Sequence, residues 1–338
     1  MSYLANPARY DGEMQYRYCG KSGLKLPAVS LGLWHNFGNI SSYESIKELL
    51  FAAFDLGITH FDLANNYGPP EGAAEENLGR VLASDLKPYR DELLISTKAG
   101  FKHWDGPYGA KGGSRKYLLA SLDKSLKRLG LDYVDIFYHH VQDSNTPVEE
   151  TASALDQAVR SGKALYVGIS NYYTDRAKEI IKVLRELRTP VIIDQNRYSI
   201  LDRNAEKDDL KGYLAEEGLG LITYSPLAQG LLTDRYLHGI PEDSRVKLDN
   251  RFLKEQSITE QQLEASRALA KLAAERGQSL AQMALSWILK DETTTSVLIG
   301  ASKPSQIADC VGCLKNTSFT QEELALIDKI IEPVVRNK

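Results

Sequence analysis

The chain has 338 residues, 43% of them hydrophobic and 25% charged, and its net charge is −4. These values are typical of a globular protein with a hydrophobic core, and they lack the basic excess that nucleic-acid binding requires. Because no apolar run approaches the roughly 18 residues of a membrane helix and the polar N-terminus lacks the apolar core of a signal peptide, we expect a cytoplasmic protein without membrane or nucleic-acid partners. An α/β barrel of this length is ordinary as one domain, here 1–338.

Short apolar, β-branched segments recur along the chain and predict strands. They are 28–34, 59–64, 92–100, 133–140, 165–171, 190–196, 220–226 and 295–302. Their near-continuous apolar character is typical of parallel strands covered on both faces. Segments with helical period lie between them, at 42–57, 114–130, 146–162, 174–187, 262–277 and 278–289. This alternation predicts a (β/α)₈ TIM barrel. A doubly wound sheet is the alternative, but it requires a G-x-G-x-x-G turn that the sequence lacks.

Cap residues mark the ends of several predicted helices. Gly57 and Gly130 are expected as C-cap residues, and Ser114 as an N-cap. Thr146 followed by Pro147 predicts an N-cap and a first helical position.

Two segments stand outside the alternation. Residues 16–27 predict a β-hairpin that closes the bottom of the barrel. Residues 229–258 form a long loop after the seventh strand, and loops of this length in a compact domain are usually functional.

The chain has three cysteines, Cys19, Cys310 and Cys313. This small odd number argues against a disulfide framework. Cys310 and Cys313 form a C-x-x-C pair, but a zinc site requires about four ligands and there is no second pair. We expect no metal site and interpret the two cysteines as small residues on a helix, with a redox pair as the alternative.

Polar side chains gather where the predicted strands end, which in a barrel is where active sites are built. These residues are Trp34, Asp62 with Tyr67 beyond it, Lys98, His139, His140, Ser170, Asn171, Gln195, Tyr224 and Ser302.

Lys98 follows the apolar residues ELLIST, and a buried lysine needs a partner that Asp62 can supply. A lysine beside Tyr67 favours the phenolate and lowers the tyrosine pKa from about 10, which suits Tyr67 to donate a proton near neutral pH. A nearby histidine can orient the same substrate oxygen. Such a set protonates a carbonyl oxygen while a cofactor delivers hydride to the carbon.

The remaining polar residues match a nicotinamide cofactor. Ser170, Asn171 and Gln195 carry groups complementary to a carboxamide, and Tyr224 can stack on the ring. The segment GASKPSQ places Ser302 and Lys303 near a helix N-terminus, where phosphate binds favourably.

Four segments resemble the signatures of the aldo-keto reductase family: GITHFDLANNYG…AEENLG (57–79), STKAG, GISNY and VLIGASKPSQI. The resemblance covers nearly the whole chain, and it implies that the loop 229–258 folds over the pyrophosphate of a cofactor. It implies a (β/α)₈ barrel that reduces aldehydes and ketones with NADPH. It also implies a catalytic tetrad of Asp62, Tyr67, Lys98 and His140, with Tyr67 as the acid.

Either of two adjacent histidines could be the histidine of the tetrad. His140 matches the family better than His139, because the motif places the histidine three residues before an acidic residue, here Asp143. The resemblance implies cofactor-binding roles for Trp34, Asp62, Ser170, Asn171, Gln195, Tyr224, Ser225, Pro226, Leu227, Gln229, Gly230, Arg235, Arg245, Gly300, Ser302, Lys303, Gln306 and Asp309.

Within the family, GLWHNFGN, NNYGPPEG and NTPVEET are most similar to segments of the bacterial L-glyceraldehyde-3-phosphate reductases, a group also associated with methylglyoxal. This implies NADPH-dependent reduction of small aldehydes by a homo-oligomer. Potassium-channel β-subunits are related and carry Asn at the position of His140, so an NADPH-binding, redox-sensing accessory subunit is an alternative. Alcohol oxidation in the reverse direction is another.

The last motif departs from the family pattern. Many members bind the 2′-phosphate of NADPH with a lysine and an arginine, where this chain has Ala301 and Gln306. Lys303 and Arg245 can compensate, and NADPH remains the expected cofactor. A substrate phosphate has three candidate partners, which the sequence leaves open: Lys102, Lys111 and Arg197.

Overall fold

Parallel strands close into a barrel in this computed structural model, which describes residues 3–237, 239 and 258–336. The barrel strands are β3 (Val29–Gly32), β4 (His60–Asp62), β5 (Leu94–Ala99), β6 (Val134–His139), β7 (Ala164–Ser170), β8 (Val191–Arg197), β9 (Gly220–Tyr224) and β10 (Ser296–Ile299). They pair in chain order, and β10 closes the ring on β3. The eight predicted strands and the TIM barrel are confirmed.

Helices connect the strands and cover the outside of the barrel. They are α1 (Tyr43–Asp55), α2 (Ala73–Ala83), α3 (Arg115–Leu129), α4 (Val148–Arg160), α5 (Thr174–Glu186), α6 (Leu210–Glu217), α7 (Glu260–Glu275), α8 (Leu280–Ile288), α9 (Pro304–Val311) and α10 (Gln321–Ile331). Among the described residues, no helix is long and apolar enough to cross a membrane.

The predicted caps are partly confirmed. Ser114 Oγ accepts a hydrogen bond from the backbone of Tyr117, and Gly130 ends the same helix with φ of 65°. The N-cap prediction for Thr146 was wrong, because α4 begins at Val148 and Thr146 Oγ1 instead donates to Asp143 at 2.5 Å.

The cap of α1 also differs from the prediction. The helix ends at Asp55, its C-cap is Leu56, and Gly57 lies beyond it with a φ of 81°. The glycine is still needed, because that backbone conformation is unfavourable for residues with a side chain.

Helices α2, α6 and α10 were not among the predicted helices. Helix α2 contains Gly79, and glycine is unusual inside a helix. Its close contact with α3 explains why a glycine stands there. A Cβ there would lie 2.4 Å from the carbonyl oxygen of Arg128, so only glycine allows α2 and α3 to pack this closely.

The N-terminal hairpin is confirmed and consists of β1 (Tyr16–Tyr18) and antiparallel β2 (Lys25–Pro27). Cys19 and Leu26, both fully buried, pack against the apolar side chains inside the barrel, including Ile136. The hairpin therefore closes the barrel interior at the N-terminal end of its strands.

The long segment after β9 begins with two 3₁₀ turns, Ala228–Gly230 and Asp234–Tyr236. Most of the rest, 240–257, and with it Arg245, lies outside the described residues. Cys310 and Cys313 are buried and free, and within the described ranges no cluster of His, Cys, Asp and Glu could hold a metal ion.

Candidate active site

A buried ion pair lies at the C-terminal end of β4 and β5. Lys98 Nζ lies 2.5 Å from Oδ2 of Asp62 and donates to the carbonyl oxygen of Leu63 at 2.6 Å. The side chains of the pair are 0% and 2% exposed. Burial lowers the pKa of Lys98, while the charge of Asp62 raises it. The sequence correctly predicted that these two residues meet.

Two further donors hold the other oxygen of Asp62. Ser96 Oγ donates to Oδ1 at 2.7 Å and Gln195 Nε2 donates to it at 3.2 Å. Because each oxygen of the carboxylate is bonded, its orientation toward Lys98 is fixed. Sequence reasoning missed Ser96, although its place two residues before Lys98 on the same strand puts both side chains on one face.

Tyr67 lies in the turn after β4 with its hydroxyl 3.4 Å from Lys98 Nζ. The backbone of this turn is tied to its surroundings, since Asn65 N donates to the carbonyl oxygen of Lys98 and Gly72 N to that of Tyr67, both at 2.9 Å. The side chain of Asn65 donates to the hydroxyl of Tyr117 at 3.1 Å. The Asn-containing turn therefore positions the phenol beside the ammonium group.

The expected lowering of the Tyr67 pKa is not observed. Burial raises the pKa of Tyr67 well above its usual value of 10, and the negative charge of Asp62 acts in the same direction. The lysine contact is too long, and its charge too closely matched by Asp62, to reverse this. Tyr67 is therefore a phenol that keeps its proton at neutral pH.

His140 completes the group. Its ring packs edge-on against Tyr67, with centroids 5.9 Å apart, and against Phe101 at 4.7 Å. Burial lowers the pKa of His140 well below 6.5, with the charge of Lys98 as a second cause. A neutral imidazole carries one N–H, which can donate to a substrate oxygen.

His139 has a different environment. Its Nδ1 lies 2.5 Å from the hydroxyl of Tyr172, and burial lowers the pKa of the imidazole to about 4. The structure thus brings His140, and not His139, to the phenol of Tyr67.

The residues expected to bind a carboxamide also come together. Asn171 Nδ2 donates to Ser170 Oγ at 3.1 Å and to the carbonyl oxygen of His140 at 2.9 Å, while Tyr224 donates to Asn171 Oδ1 at 2.6 Å. Asn171 has φ of 55°, a left-handed backbone that turns its side chain at the end of β7. Hydroxyl and amide groups, which both donate and accept hydrogen bonds, therefore lie at adjoining strand ends and are complementary in type to the NH₂ and C=O groups of a carboxamide.

The turn after β9 has a similar unusual backbone. Ser225 and Gln229 have φ of 55° and 59°, and Gln229 Oε1 is buried without a hydrogen-bond partner among the described residues. An orphaned buried acceptor is costly unless a ligand satisfies it. This observation fits a cofactor held along the segment that also contains Pro226, Leu227 and Gly230.

Helix α9 begins beside the end of β10, with Lys303 as its exposed N-cap residue. Gly300 and Ser302 precede it. Gln306 Oε1 accepts from the backbone N of Ser302 at 2.8 Å and from its hydroxyl at 3.2 Å. Lys303 is therefore an exposed cation at the N-terminus of this helix.

Three of the residues expected to bind the cofactor are not brought to the group around Tyr67 by any described contact. Asp309 accepts from Gln282 at 2.8 Å and from the hydroxyl of Ser279 at 3.2 Å, so its carboxylate holds the N-terminus of α8. Arg235 is exposed in the second 3₁₀ turn. Arg245 lies outside the described residues.

Aromatic side chains line the mouth of the site. Trp34 lies with its ring centroid 6.3 Å from that of Tyr67. Of the substrate-phosphate candidates, exposed Lys111 lies 5.9 Å from the ring of Phe101, which itself contacts His140.

The other two candidates already have acidic neighbours. Arg197 lies 3.8 Å from Asp202, and Lys102 pairs with Asp105 at 2.8 Å in solvent.

The chain is similar to proteins of one family throughout its length. Residues 28–332 match the model of the aldo/keto reductase family. An L-glyceraldehyde 3-phosphate reductase of Escherichia coli K12 is 60% identical over 98% of this chain and 96% of its own length. A probable voltage-gated potassium channel subunit beta of Oryza sativa is 38% identical over 96% of this chain and 98% of its own.

A solved structure agrees with the barrel. A thermostable aldo-keto reductase, Tm1743, crystallised with the inhibitor epalrestat, superimposes with a TM-score of 0.74 at 28% identity, over 94% of this chain and all of that one. With its buried lysine–aspartate pair, its phenol and its neutral imidazole at one end of a parallel barrel, the chain belongs to the aldo/keto reductase family.

Proposed function

We propose that this protein reduces small aldehydes to alcohols with NADPH, with Tyr67 as the proton donor and L-glyceraldehyde 3-phosphate as a substrate. The observation that carries the proposal is the position of Lys98, whose Nζ lies 2.5 Å from Asp62 and 3.4 Å from the hydroxyl of Tyr67. The family and the reductase relative support an oxidoreductase.

The chain's own residues provide the proton and the electrostatic stabilisation. Tyr67 retains its proton until negative charge develops on the carbonyl oxygen, and its phenolate is then stabilised by the ammonium group of Lys98. Asp62 keeps that ammonium group charged and in place despite its burial. His140, as a neutral imidazole, donates its N–H to the same oxygen and orients the carbonyl. The reverse reaction uses the same residues, with the Tyr67 phenolate accepting the proton.

When bound, reduced nicotinamide supplies hydride to the carbonyl carbon. Ser170, Asn171 and Gln195 would hold its carboxamide, and Tyr224 would stack on the ring. Gln229 has the buried acceptor that such a ligand would satisfy. Lys303 at the start of α9 would hold the phosphate that distinguishes NADPH from NADH.

The substrate assignment is supported by the 60% identity to the Escherichia coli reductase. A phosphorylated aldehyde requires a cation near the carbonyl site. Lys111 suits this role because it lies beside the phenyl ring that contacts His140. Methylglyoxal, a small aldehyde without phosphate, is proposed as a second substrate that would not need Lys111.

The test is NADPH oxidation by the purified protein with L- and D-glyceraldehyde 3-phosphate, methylglyoxal and 4-nitrobenzaldehyde, each repeated with NADH. Preference for the L-phosphate with NADPH is the expected result. Equal, slow activity on all four aldehydes would contradict the substrate assignment and leave a general aldehyde reductase.

Similarity to the potassium channel subunit favours a second candidate function, an accessory subunit that binds NADPH as a redox sensor. The same assay separates the two. Tight NADPH binding without turnover of any aldehyde, together with a stoichiometric partner recovered from membrane fractions, would favour the accessory subunit.

A further inference from the structure

A line of hydrogen bonds leads from Asp62 into the interior of the barrel. Its first members are Ser96, which donates to Asp62 Oδ1 at 2.7 Å, and His60, whose Nε2 lies 2.9 Å from Ser96 Oγ. His60 and Ser96 are fully buried. His60 lies two residues before Asp62 on β4, so both side chains point into the barrel.

The line continues from His60 toward the hairpin. Nδ1 of His60 lies 3.0 Å from Ser30 Oγ, which lies 2.7 Å from Ser296 Oγ. Ser296 Oγ donates to the carbonyl oxygen of Pro27 at 2.6 Å. The line therefore connects the catalytic end of the barrel with β2, the strand that closes its opposite end, through side chains that water does not reach.

The line contains five links, from Asp62 to the carbonyl oxygen of Pro27. Both ends only accept hydrogens: a backbone carbonyl carries none, and the ammonium group of Lys98 stabilises Asp62 as a carboxylate. Five links require five hydrogens. Three serine hydroxyls supply one each, and a neutral imidazole supplies one, so the line is one hydrogen short.

The shortage has a definite location. With Ser96 donating to Asp62 and Ser296 donating to Pro27, the three middle links have only the hydroxyl hydrogen of Ser30 and those of the imidazole. A neutral ring leaves one of these links without a hydrogen, although all three are 2.7 to 3.0 Å long. An imidazolium ring donates to Ser30 and to Ser96 and fills every link.

We propose that His60 is a positioning residue that takes up an exchangeable proton behind the Asp62–Lys98 pair, donating through its two ring nitrogens to Ser30 and Ser96. Through Ser96, the protonated ring holds the carboxylate of Asp62 in the orientation that pairs with Lys98.

The charges that face His60 have opposite effects. Burial lowers the pKa of the ring to about 4, Asp62 opposes that fall and Lys98 adds to it. From β3, β5 and β10 the ring also faces the hydroxyl groups of the line, which are uncharged. The missing hydrogen adds a contribution that favours the protonated ring, because protonation replaces a contact between two lone pairs by a hydrogen bond.

A variant that removes the shortage tests this inference. Ser296→Ala deletes the two links made by Ser296 and leaves three links, to which Ser96, Ser30 and a neutral His60 contribute three hydrogens. We therefore expect His60 to titrate at a pH at least about one unit higher in the unmodified protein than in Ser296→Ala. Such a difference corresponds to about 1.4 kcal/mol.

The measurement is a pH titration of the histidine ring nitrogens by NMR in the whole protein, with the His60 signal assigned by its loss in His60→Gln. Ser266→Ala is the matched control, because Ser266 is a fully buried serine on α7, away from the line. The control is expected to titrate like the unmodified protein. Equal titration of His60 in the unmodified protein and Ser296→Ala would overturn the inference.

A second variant covers the case in which Ser296→Ala does not fold. Ser30→Ala also removes two links, since Ser30 bridges His60 and Ser296. Ser30→Ala is therefore also expected to lower the pKa of His60. An unchanged titration in Ser30→Ala would count equally against the proposal.

The consequence for turnover rests on the proposed function. Because protonation of His60 holds the Asp62 carboxylate toward Lys98, Ser296→Ala is expected to move the inflection that His60 contributes to the kcat profile to lower pH, in step with the NMR titration. A purely structural role would lower kcat without moving that inflection. Because the NMR titration needs neither cofactor nor substrate, its failure and the failure of the proposed function are distinguishable.

Discussion

Lys98 Nζ and Asp62 Oδ2 lie 2.5 Å apart in a site where the lysine is fully buried. Removing one partner of such a pair leaves an uncompensated buried charge, so Lys98→Met is expected to lower the free energy of unfolding by about 3–5 kcal/mol. The neutral double variant Asp62→Asn/Lys98→Met is expected to recover most of that loss, while aldehyde reduction stays near zero in both. Urea denaturation and NADPH oxidation measure the two properties separately.

The control for this pair is Lys102→Met. Lys102 forms a solvent-exposed pair with Asp105, and solvent screening leaves such exposed pairs with little effect on stability. If the double variant were no more stable than Lys98→Met, the loss would come from packing and not from the unpaired carboxylate.

Tyr67→Phe removes the hydroxyl that we propose as the acid and leaves the aromatic ring in place. We expect kcat to fall by about 10²–10⁴-fold, the usual contribution of a positioned general acid, while the dissociation constant of NADPH changes little. Stopped-flow turnover and fluorescence titration of NADPH measure the two effects. Tyr18→Phe, in an exposed residue of the hairpin, is the control. Undiminished turnover in Tyr67→Phe would exclude it as the proton donor.

The barrel was predictable from sequence because its strands are covered on both faces and are therefore apolar throughout. The pairing of Asp62 with Lys98 was predictable for a related reason, since parallel strands bring their C-terminal ends together. A polar residue ending an apolar strand thus indicates the position of the site before any coordinates are known.

Other features depended on packing that no local pattern reveals. The raised pKa of Tyr67 follows from the burial of its ring, and the role of Asp309 follows from the contact between α8 and α9. Ser30 and Ser296 meet at 2.7 Å although they are 266 positions apart in the chain. Barrel closure brings them together, and neither has a recognisable motif.

Lys111 is expected to bind a substrate phosphate. A hydrogen bond to a charged group contributes about 1.5–3 kcal/mol, so Lys111→Gln should raise KM for L-glyceraldehyde 3-phosphate by about tenfold or more. The KM for methylglyoxal, which has no phosphate, should not change. Lys102→Gln is the matched control, since its ammonium group is already paired with Asp105. Equal effects on both aldehydes would mean that Lys111 orders the loop and does not bind phosphate.

Lys303 is expected to distinguish the two nicotinamide cofactors. It is exposed at the start of α9, where helix polarity also favours phosphate. Lys303→Gln should weaken NADPH binding by about tenfold, which corresponds to one charge-assisted hydrogen bond, and leave NADH binding unchanged. Isothermal titration calorimetry with both cofactors measures this, with the exposed Lys315→Gln as control. Parallel losses for NADPH and NADH would assign Lys303 to the shared pyrophosphate.

The buried imidazole of His139 is expected to make the free energy of unfolding depend on pH. Burial lowers the pKa of the folded protein's His139 to about 4 from a usual value of 6.5. Between these values the unfolded chain binds a proton that the folded protein does not, so unfolding becomes easier as pH falls from about 6.5 to about 4. The contribution of His139 to the free energy of unfolding is on the order of 3 kcal/mol. It is fully present above the pKa that the ring has in the unfolded chain, and it is lost progressively as pH falls below that value. Replacing the imidazole of His139 is expected to remove its part of the pH dependence of the free energy of unfolding.

The variant His139→Gln keeps a polar side chain that can bond to the hydroxyl of Tyr172. Urea denaturation of the unmodified protein and the variant at several values of pH between 4 and 7 gives the difference in slope. We expect the unfolding free energy of the unmodified protein to fall more steeply, by about 1.4 kcal/mol per pH unit, because one additional proton binds to its unfolded state. His103→Gln is the comparison, since His103 contacts Glu71 in a loop and its ring is less completely enclosed. Identical slopes for the unmodified protein and His139→Gln would show that His139 is protonated in the folded state over this range.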